Sequence, residues 1–127
     1  MNKTLINVLL KIKNASILGK QYVYLNYNLS SLKLLKILYN EGFIQNLKLD
    51  AKTLQLIVQL RFYEQKRVIN TIKFLSKPSH QQFISFFELT LINDKNLFIL
   101  LSTDKGLLSL AECKKQKIGG KLLFSIC

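Results

Sequence analysis

Residues Leu97-Phe98-Ile99-Leu100-Leu101 run without interruption into Ser102-Thr103-Asp104-Lys105-Gly106. A short apolar run bounded by a turn reads as a buried strand, so this chain must build a core around a segment that ends in a polar tip. Hydroxyl and amide groups at the end of a rigid strand hydrogen-bond phosphate, ribose or base edges. Gly106 permits the positive φ that brings backbone close to a ligand.

Charge narrows the ligand. Nineteen Lys and Arg against seven Asp and Glu give a formal net charge of +12, and the pI is about 9.9. A single-sign excess of this size repels itself unless a polyanion neutralises it, so RNA is the expected ligand of the Ser102–Gly106 turn. With 127 residues, 49% of them hydrophobic, the chain folds without staples as one domain or two small subdomains. Cys113 and Cys127 stand far apart, with no histidine at ligand spacing, and read as reduced core thiols rather than a metal site or disulfide framework. No apolar run approaches the roughly 20 residues a membrane helix needs, and no targeting segment is visible at the N-terminus. Only Arg61 and Arg67 are arginines, while Lys, Asn, Ile, Leu, Phe and Tyr are abundant. That bias points to an AT-rich coding genome, and an organelle-encoded protein needs no import signal.

Leu5, Val8, Leu9 and Ile12 recur at helical spacing with Lys3, Asn7, Lys11 and Asn14 opposite, which predicts an amphipathic first helix. Gln21 to Asn28 alternates Val23, Leu25 and Tyr27 against Tyr22, Tyr24 and Asn26, the period of a half-buried strand. Tyr22 and Tyr24 are packing residues in this reading. Ser30 or Ser31 caps a second helix bearing Leu34, Leu35 and Leu38, which Gly42 ends. Ile44 to Leu49 and Thr53 to Phe62 form a hairpin, the second arm turning Leu54, Leu56, Val58, Leu60 and Phe62 to one side. Residues 63 to 67 lack periodicity and mark a boundary, dividing an N-terminal α/β subdomain (1–64) from a C-terminal α+β RNA-binding subdomain (65–127). In the second half, Val68 to Leu75 fits a strand better than a short helix, and Ser76-Lys77-Pro78-Ser79 makes a turn. Phe83 to Phe87 reads as strand and Glu88 to Asn93 as a short helix. Ser109 and Glu112 have capping-box spacing for a helix carrying Lys114, Lys115 and Lys117 outward, and Gly119-Gly120 precedes a last strand, Leu122 to Ile126. The expected class is α+β, with two small α/β subdomains, mixed or antiparallel sheets and flanking helices.

These residues resemble the family of small-subunit ribosomal protein eight, of the bacterial and organellar type. Ile12-Lys13-Asn14 resembles the family's Ile-Arg-Asn, Glu41-Gly42-Phe43-Ile44 its Glu-Gly-Phe-Ile, and Ser76-Lys77-Pro78 its Ser-Arg-Pro. Glu88-Leu89 matches a Glu-Leu, Leu101-Ser102-Thr103-Asp104-Lys105-Gly106 resembles Leu-Ser-Thr-Ser-Lys-Gly, and Gly119-Gly120 matches a terminal Gly-Gly. The resemblance covers essentially the whole chain. It implies two α+β subdomains and direct binding to the central domain of small-subunit ribosomal RNA during assembly, beside neighbouring small-subunit ribosomal proteins. By matching position it assigns the principal RNA contact to Ser102, Thr103, Lys105 and Gly106, a first-helix contact to Lys11, Lys13 and Asn14, and a phosphate contact to Lys77. Asp104, Gly119, Gly120 and Lys121 complete the expected RNA-binding set. Several positions depart from the family pattern. Asp104 replaces a serine, and a carboxylate among phosphates must accept from a base amino group or a ribose hydroxyl. Lys121 replaces a glutamate, Leu110 and Ala111 an Asp-Arg pair, Asn7 and Leu10 an aspartate and a threonine, and Ser79 a glycine.

Catalysis has no residues to carry it. His80 lies among Ser79, Gln81 and Gln82 without an acid or thiol partner in sequence, and no phosphate loop, dinucleotide fingerprint or metal signature occurs. The chain is therefore read as no enzyme, with no cofactor, metal or small-molecule substrate. Three classes stay in view: a ribosomal component, a free-standing basic RNA-binding regulator, and a protein of anionic membrane surfaces. The last requires residues 4 to 14 as a membrane helix, and their apolar stripe is needed for the core, so no membrane partner is expected. Compositional bias and sequence divergence place the protein in a mitochondrial ribosome, encoded in the organelle, with plastid and bacterial cytoplasm as alternatives.

Overall fold

The computed structural model describes residues 3–63, 66–69, 71–76, 81–92 and 97–127. Two compact units form, Asn2–Asn70 and Thr71–Cys127. Helices and antiparallel sheets make each of them, the α+β class that the sequence implies.

The first unit opens with α1 (Lys3–Ile17), which buries Leu5, Val8, Leu9 and Ile12 as their spacing requires, together with Ala15 and Ser16. The Ser16 hydroxyl donates to the carbonyl of Ile69 at 2.6 Å. β1 (Tyr22–Asn26) is shorter than the alternation suggests. Val23 and Leu25 are buried and Tyr22 and Tyr24 exposed, but Tyr27 lies beyond the strand and is exposed too, its N–H donating to the carbonyl of Leu54. α2 (Leu29–Asn40) is capped by Asn28 rather than Ser30 or Ser31, and the Asn28 side chain accepts from the N–H of Ser30. The extended backbone at Asn28 places its short amide over the first turn, one residue earlier than serine content alone suggests. At its far end, the N–H of Gly42 reaches the carbonyl of Tyr39 and that of Phe43 the carbonyl of Leu38, the paired bonds of a Schellman ending.

β2 (Ile44–Asp50) and β3 (Gln55–Leu60) form the expected hairpin, and the sheet order is β1-β3-β2. Leu56, Val58 and Leu60 are buried opposite Leu25, Val23 and Ile44, so one sheet face meets α1 and α2. The alternation fails at both ends of β3. Leu54 occupies the turn with φ +53° and is exposed, and Phe62 belongs to β4 (Phe62–Tyr63), which pairs with β5 (Lys66–Arg67). This strand pair lies within the stretch that lacks periodicity in the sequence.

In the second unit β6 (Ile72–Phe74), β7 (Phe83–Ile84), β8 (Phe98–Thr103), β9 (Gly106–Ser109) and β10 (Gly120–Ile126) share a sheet of order β6-β10-β8-β9, with β7 also on β10. Strand β6 covers only part of Val68 to Leu75, and β7 only two residues of Phe83 to Phe87. The chain leaves β7 because Ser85 caps α3 (Phe86–Leu89), accepting from the N–H of Glu88 at 3.3 Å while donating to its carboxylate. At the start of α4 (Leu110–Gln116), too, a serine hydroxyl caps the helix, Ser109 accepting from the N–H of Glu112 at 3.3 Å. Residues 77–80 and 93–96, and with them Lys77, His80 and the Ser76–Ser79 turn, lie outside the described residues.

Ile99 and Leu101 of β8 pack with Leu89 of α3 and with Leu110 and Cys113 of α4. Lys114 does not point simply outward, because its ammonium donates to the carbonyl of Ile92 at 2.9 Å. Both cysteines are free; Cys113 is a core thiol, its pKa pushed up by burial and then by the Glu112 carboxylate. Cys127 is exposed, contrary to the core reading, because it follows the last residue of β10. No helix among the described residues is long and apolar enough to cross a membrane.

Leu101 is fully buried in the cluster behind the polar tip. Leu101→Ala should destabilise the protein by about 2–5 kcal/mol in urea titration. A loss below about 1 kcal/mol would contradict this packing, since deletions from well-filled cores cost more.

Candidate nucleic acid interface

The tip of β8 is more ordered than a turn of free hydroxyls. Ser102 and Thr103 lie within the strand, paired with Leu107 and Gly106 of β9, and only Asp104 and Lys105 form the exposed turn. β9 itself was not legible as a strand, because Gly106 and the short Leu107-Leu108 step carry no alternation. Gly106 closes the turn with φ +104° and an open space around its α-carbon, so its conformation, not crowding, calls for glycine.

The two hydroxyls do different work. The Thr103 hydroxyl donates to the carbonyl of Gly106 at 2.9 Å and accepts from the N–H of Lys105 at 3.2 Å, binding the turn together. It is a brace of the hairpin before it is a ligand. Ser102 is half-buried, and its hydroxyl has no partner among the described residues.

Strand register decides what stands beside Ser102. Ser102 lies opposite Lys121 on β10 and Leu107 on β9, and Lys121 lies opposite Phe83 on β7. Directly opposed residues share a sheet face, so Phe83, Lys121, Ser102 and Leu107 form one transverse row. Four strands at a spacing of about 4.8 Å give the row a span of about 14 Å. Phe83 is 72% exposed, an aromatic at the open end of the row. Sequence reasoning did not place it there, because its position depends on pairing with a strand nearly forty positions away.

Gly119 and Gly120 are brought to the same place, but to let backbones meet. A β-carbon on Gly120 would stand 2.6 Å from the carbonyl oxygen of Ser102 and 2.9 Å from the Thr103 methyl. One on Gly119 would stand 2.4 Å from the carbonyl oxygen of Ile84. Neither contact is sterically possible without moving main chain. Ser102, Thr103, Asp104, Lys105, Gly106, Gly119, Gly120 and Lys121 therefore converge on one region of the second unit.

Lys11, Lys13 and Asn14 lie on α1 in the first unit. Lys11 and Asn14 are exposed on one side with Asn7, whereas Lys13 is half-buried. At 3.6 residues per turn, Lys13 is rotated by about 200° from Lys11, so the two lysines do not form one patch.

Two substitutions separate scaffold from ligand-facing chemistry. Gly120→Ala should destabilise the second unit by about 2–4 kcal/mol, in the range reserved for backbone strain and overpacking. Thr103→Ser, which keeps both turn hydrogen bonds, should stay within about 0.5 kcal/mol of wild type, whereas Thr103→Val should cost about 0.5–1.5 kcal/mol, the net worth of hydrogen bonds whose freed partners water can reach. Thermal and urea unfolding check both, and equal stability of the serine and valine variants would remove the brace.

The family profile of ribosomal protein S8 matches residues 3–127. The chain is 32% identical over 122 residues to the small ribosomal subunit protein uS8 of Pelagibacter ubique (strain HTCC1062), covering 94% of this chain and 93% of that one. It is 33% identical over 133 residues to the small ribosomal subunit protein uS8c of Bigelowiella natans, covering 99% of both chains. With uS8c of Gnetum parvifolium it shares 31% identity over 122 residues, covering 94% of this chain and 95% of that one. With a family match across nearly its whole length and relatives of near-equal length, this chain belongs to the ribosomal protein S8 family.

Proposed function

We propose that the chain is a structural constituent of the small ribosomal subunit, which binds the central domain of small-subunit ribosomal RNA directly and supports its assembly among neighbouring ribosomal proteins. The family is structural rather than catalytic. One observation carries the RNA contact: Ser102, with its hydroxyl uncommitted, lies opposite Lys121 and beside the exposed Asp104-Lys105 turn. In this reading Ser102 hydrogen-bonds RNA, Lys105 and Lys121 neutralise phosphate, and Phe83 offers a face for a ribose or base. Asp104 accepts from a base amino group or a 2′-hydroxyl, the interactions open to a carboxylate beside RNA. Gly106, Gly119 and Gly120 hold the backbone in position, and Thr103 holds the turn. Lys11, Lys13 and Asn14 add contacts from α1, and Lys77 adds a phosphate contact. AT-biased composition and divergence from the bacterial and uS8c relatives support a mitochondrial ribosome as the location.

Affinity and specificity should separate on mutation, since lysines supply salt-dependent affinity and the hydroxyl fixes register. Ser102→Ala should cost about 1–2 kcal/mol on a central-domain RNA fragment by loss of hydrogen bonding, and little on random RNA of equal length. Filter binding or calorimetry on both RNAs checks this. Equal losses on the two would show that the hairpin does not specify.

A further inference from the structure

The sheet of the first unit has order β1-β3-β2, so β1 and β2 are its edges. The N–H of Leu60 donates to the carbonyl of Gln21, and the N–H of Tyr27 to the carbonyl of Leu54, so the odd-numbered residues from Gln21 to Tyr27 turn their backbone toward β3. In an antiparallel ladder the residues between them turn theirs away. Tyr22, Tyr24 and Asn26 therefore present N–H and C=O groups to the open side of β1, where no strand pairs with it among the described residues. Folded proteins blunt such edges with charge, proline or a bulge. The two edges of this sheet differ in that respect. β2 carries Lys48 and Asp50 and a register shift between Ile44 and Asn46, whereas β1 has no charge, no proline and an unbroken register. Tyr22 and Tyr24 are 47% and 58% exposed, and Leu18 before the strand and Tyr27 and Leu54 beyond it are exposed as well. Exposed apolar and aromatic residues that follow one unprotected edge mark an interaction surface.

We infer that the free edge of β1 takes an extended, acidic segment of another small-subunit protein as an added strand. The class of partner rests on the small-subunit reading above; the edge itself does not. Alternating N–H and C=O groups are complemented by the backbone of another strand, whereas phosphate oxygens only accept and would leave the carbonyls unpaired, so the surface fits a peptide rather than RNA. Charge selects the segment. A net charge of +12 sets two copies of this chain against each other. Lys20 lies just ahead of the strand, and Lys48 stands in one row with Tyr24 and Ile57, which favours acidic residues in the partner. The added strand satisfies the outward backbone groups, and its side chains pack beside Tyr22 and Tyr24.

In small subunits assembled with the full-length chain, a photoreactive benzoylphenylalanine in place of Tyr22 should cross-link to one segment of a single other protein, located by mass spectrometry. Cross-links only to RNA or to a second copy of the chain, or none, would overturn the inference. A synthetic peptide of that segment, added to the full-length chain, should slow amide exchange at Tyr22, Tyr24 and Asn26 and leave Val23 and Leu25, already bonded to β3, unchanged. Slowing at none of the three, or equally at all five, would overturn it too. Tyr24→Pro removes an outward N–H without breaking the β1–β3 ladder, a substitution that edge strands accept, and protected amides at Val23 and Leu25 report that the ladder is intact. It should weaken the peptide about thirtyfold, through a partner carbonyl left unpaired. Tyr24→Thr keeps the N–H and should stay within about fivefold of wild type, the worth of one cross-strand side-chain pair. A proline variant that binds as the threonine variant does would show that backbone pairing is not the contact. If the chain does not travel with the small subunit, the functional reading falls. The edge is then decided by a designed peptide alternating valine and glutamate, read by the same exchange pattern and the same two variants.

Discussion

The second unit depends on how closely main chain can approach main chain at Gly119 and Gly120. β10 pairs with β6, β7 and β8, so it is the strand through which the sheet is assembled. Its first residues lie between Ile84 and Ser102 with no room for a β-carbon on either side. From that approach follow the pairing of Lys121 with both Phe83 and Ser102 and the anchoring of the β8–β9 hairpin. Apolar burial of Ile99 and Leu101 under α3 and α4 then fixes the strand whose end presents the hydroxyls. The end of β8 is thus held in place by packing and backbone fit.

How much of this was legible depended on whether the deciding interaction was local. The apolar stripe of α1, the Ser109 cap of α4 and the apolar run of β8 all encode their structure within a few residues, and each formed as its pattern requires. Where the deciding contact is distant or conformational, pattern failed. Leu54 continues the alternation in sequence but takes a left-handed turn conformation, and Tyr27 steps off its strand to bond Leu54. Ser85-Phe86-Phe87-Glu88 carries a capping box, yet its aromatic residues read as strand; the cap prevails because it satisfies helix N–H groups that two strand residues cannot.

The site shows the same division. The residue types of the hairpin were evident, but not the difference in their roles, because only geometry reveals that the Thr103 hydroxyl already closes its own turn while that of Ser102 does not. Phe83 joins the row through strand register alone. Ser31 looked like a helix cap and proved to be a buried hydroxyl within α2, with Asn28 as the cap. A net charge of +12 draws the whole surface toward RNA, so orientation has to come from the few positions where hydroxyls, amides and lysines are held in fixed geometry.

Sedimentation of a native extract at moderate salt, with the chain followed by mass spectrometry through the gradient and magnesium chelated to part the subunits, tests whether this chain is a component of the small ribosomal subunit. A constituent of the small subunit travels with it before and after the subunits separate. A chain left at the top of the gradient while the small subunit moves on would contradict it, and would leave the S8 fold in the service of another RNA.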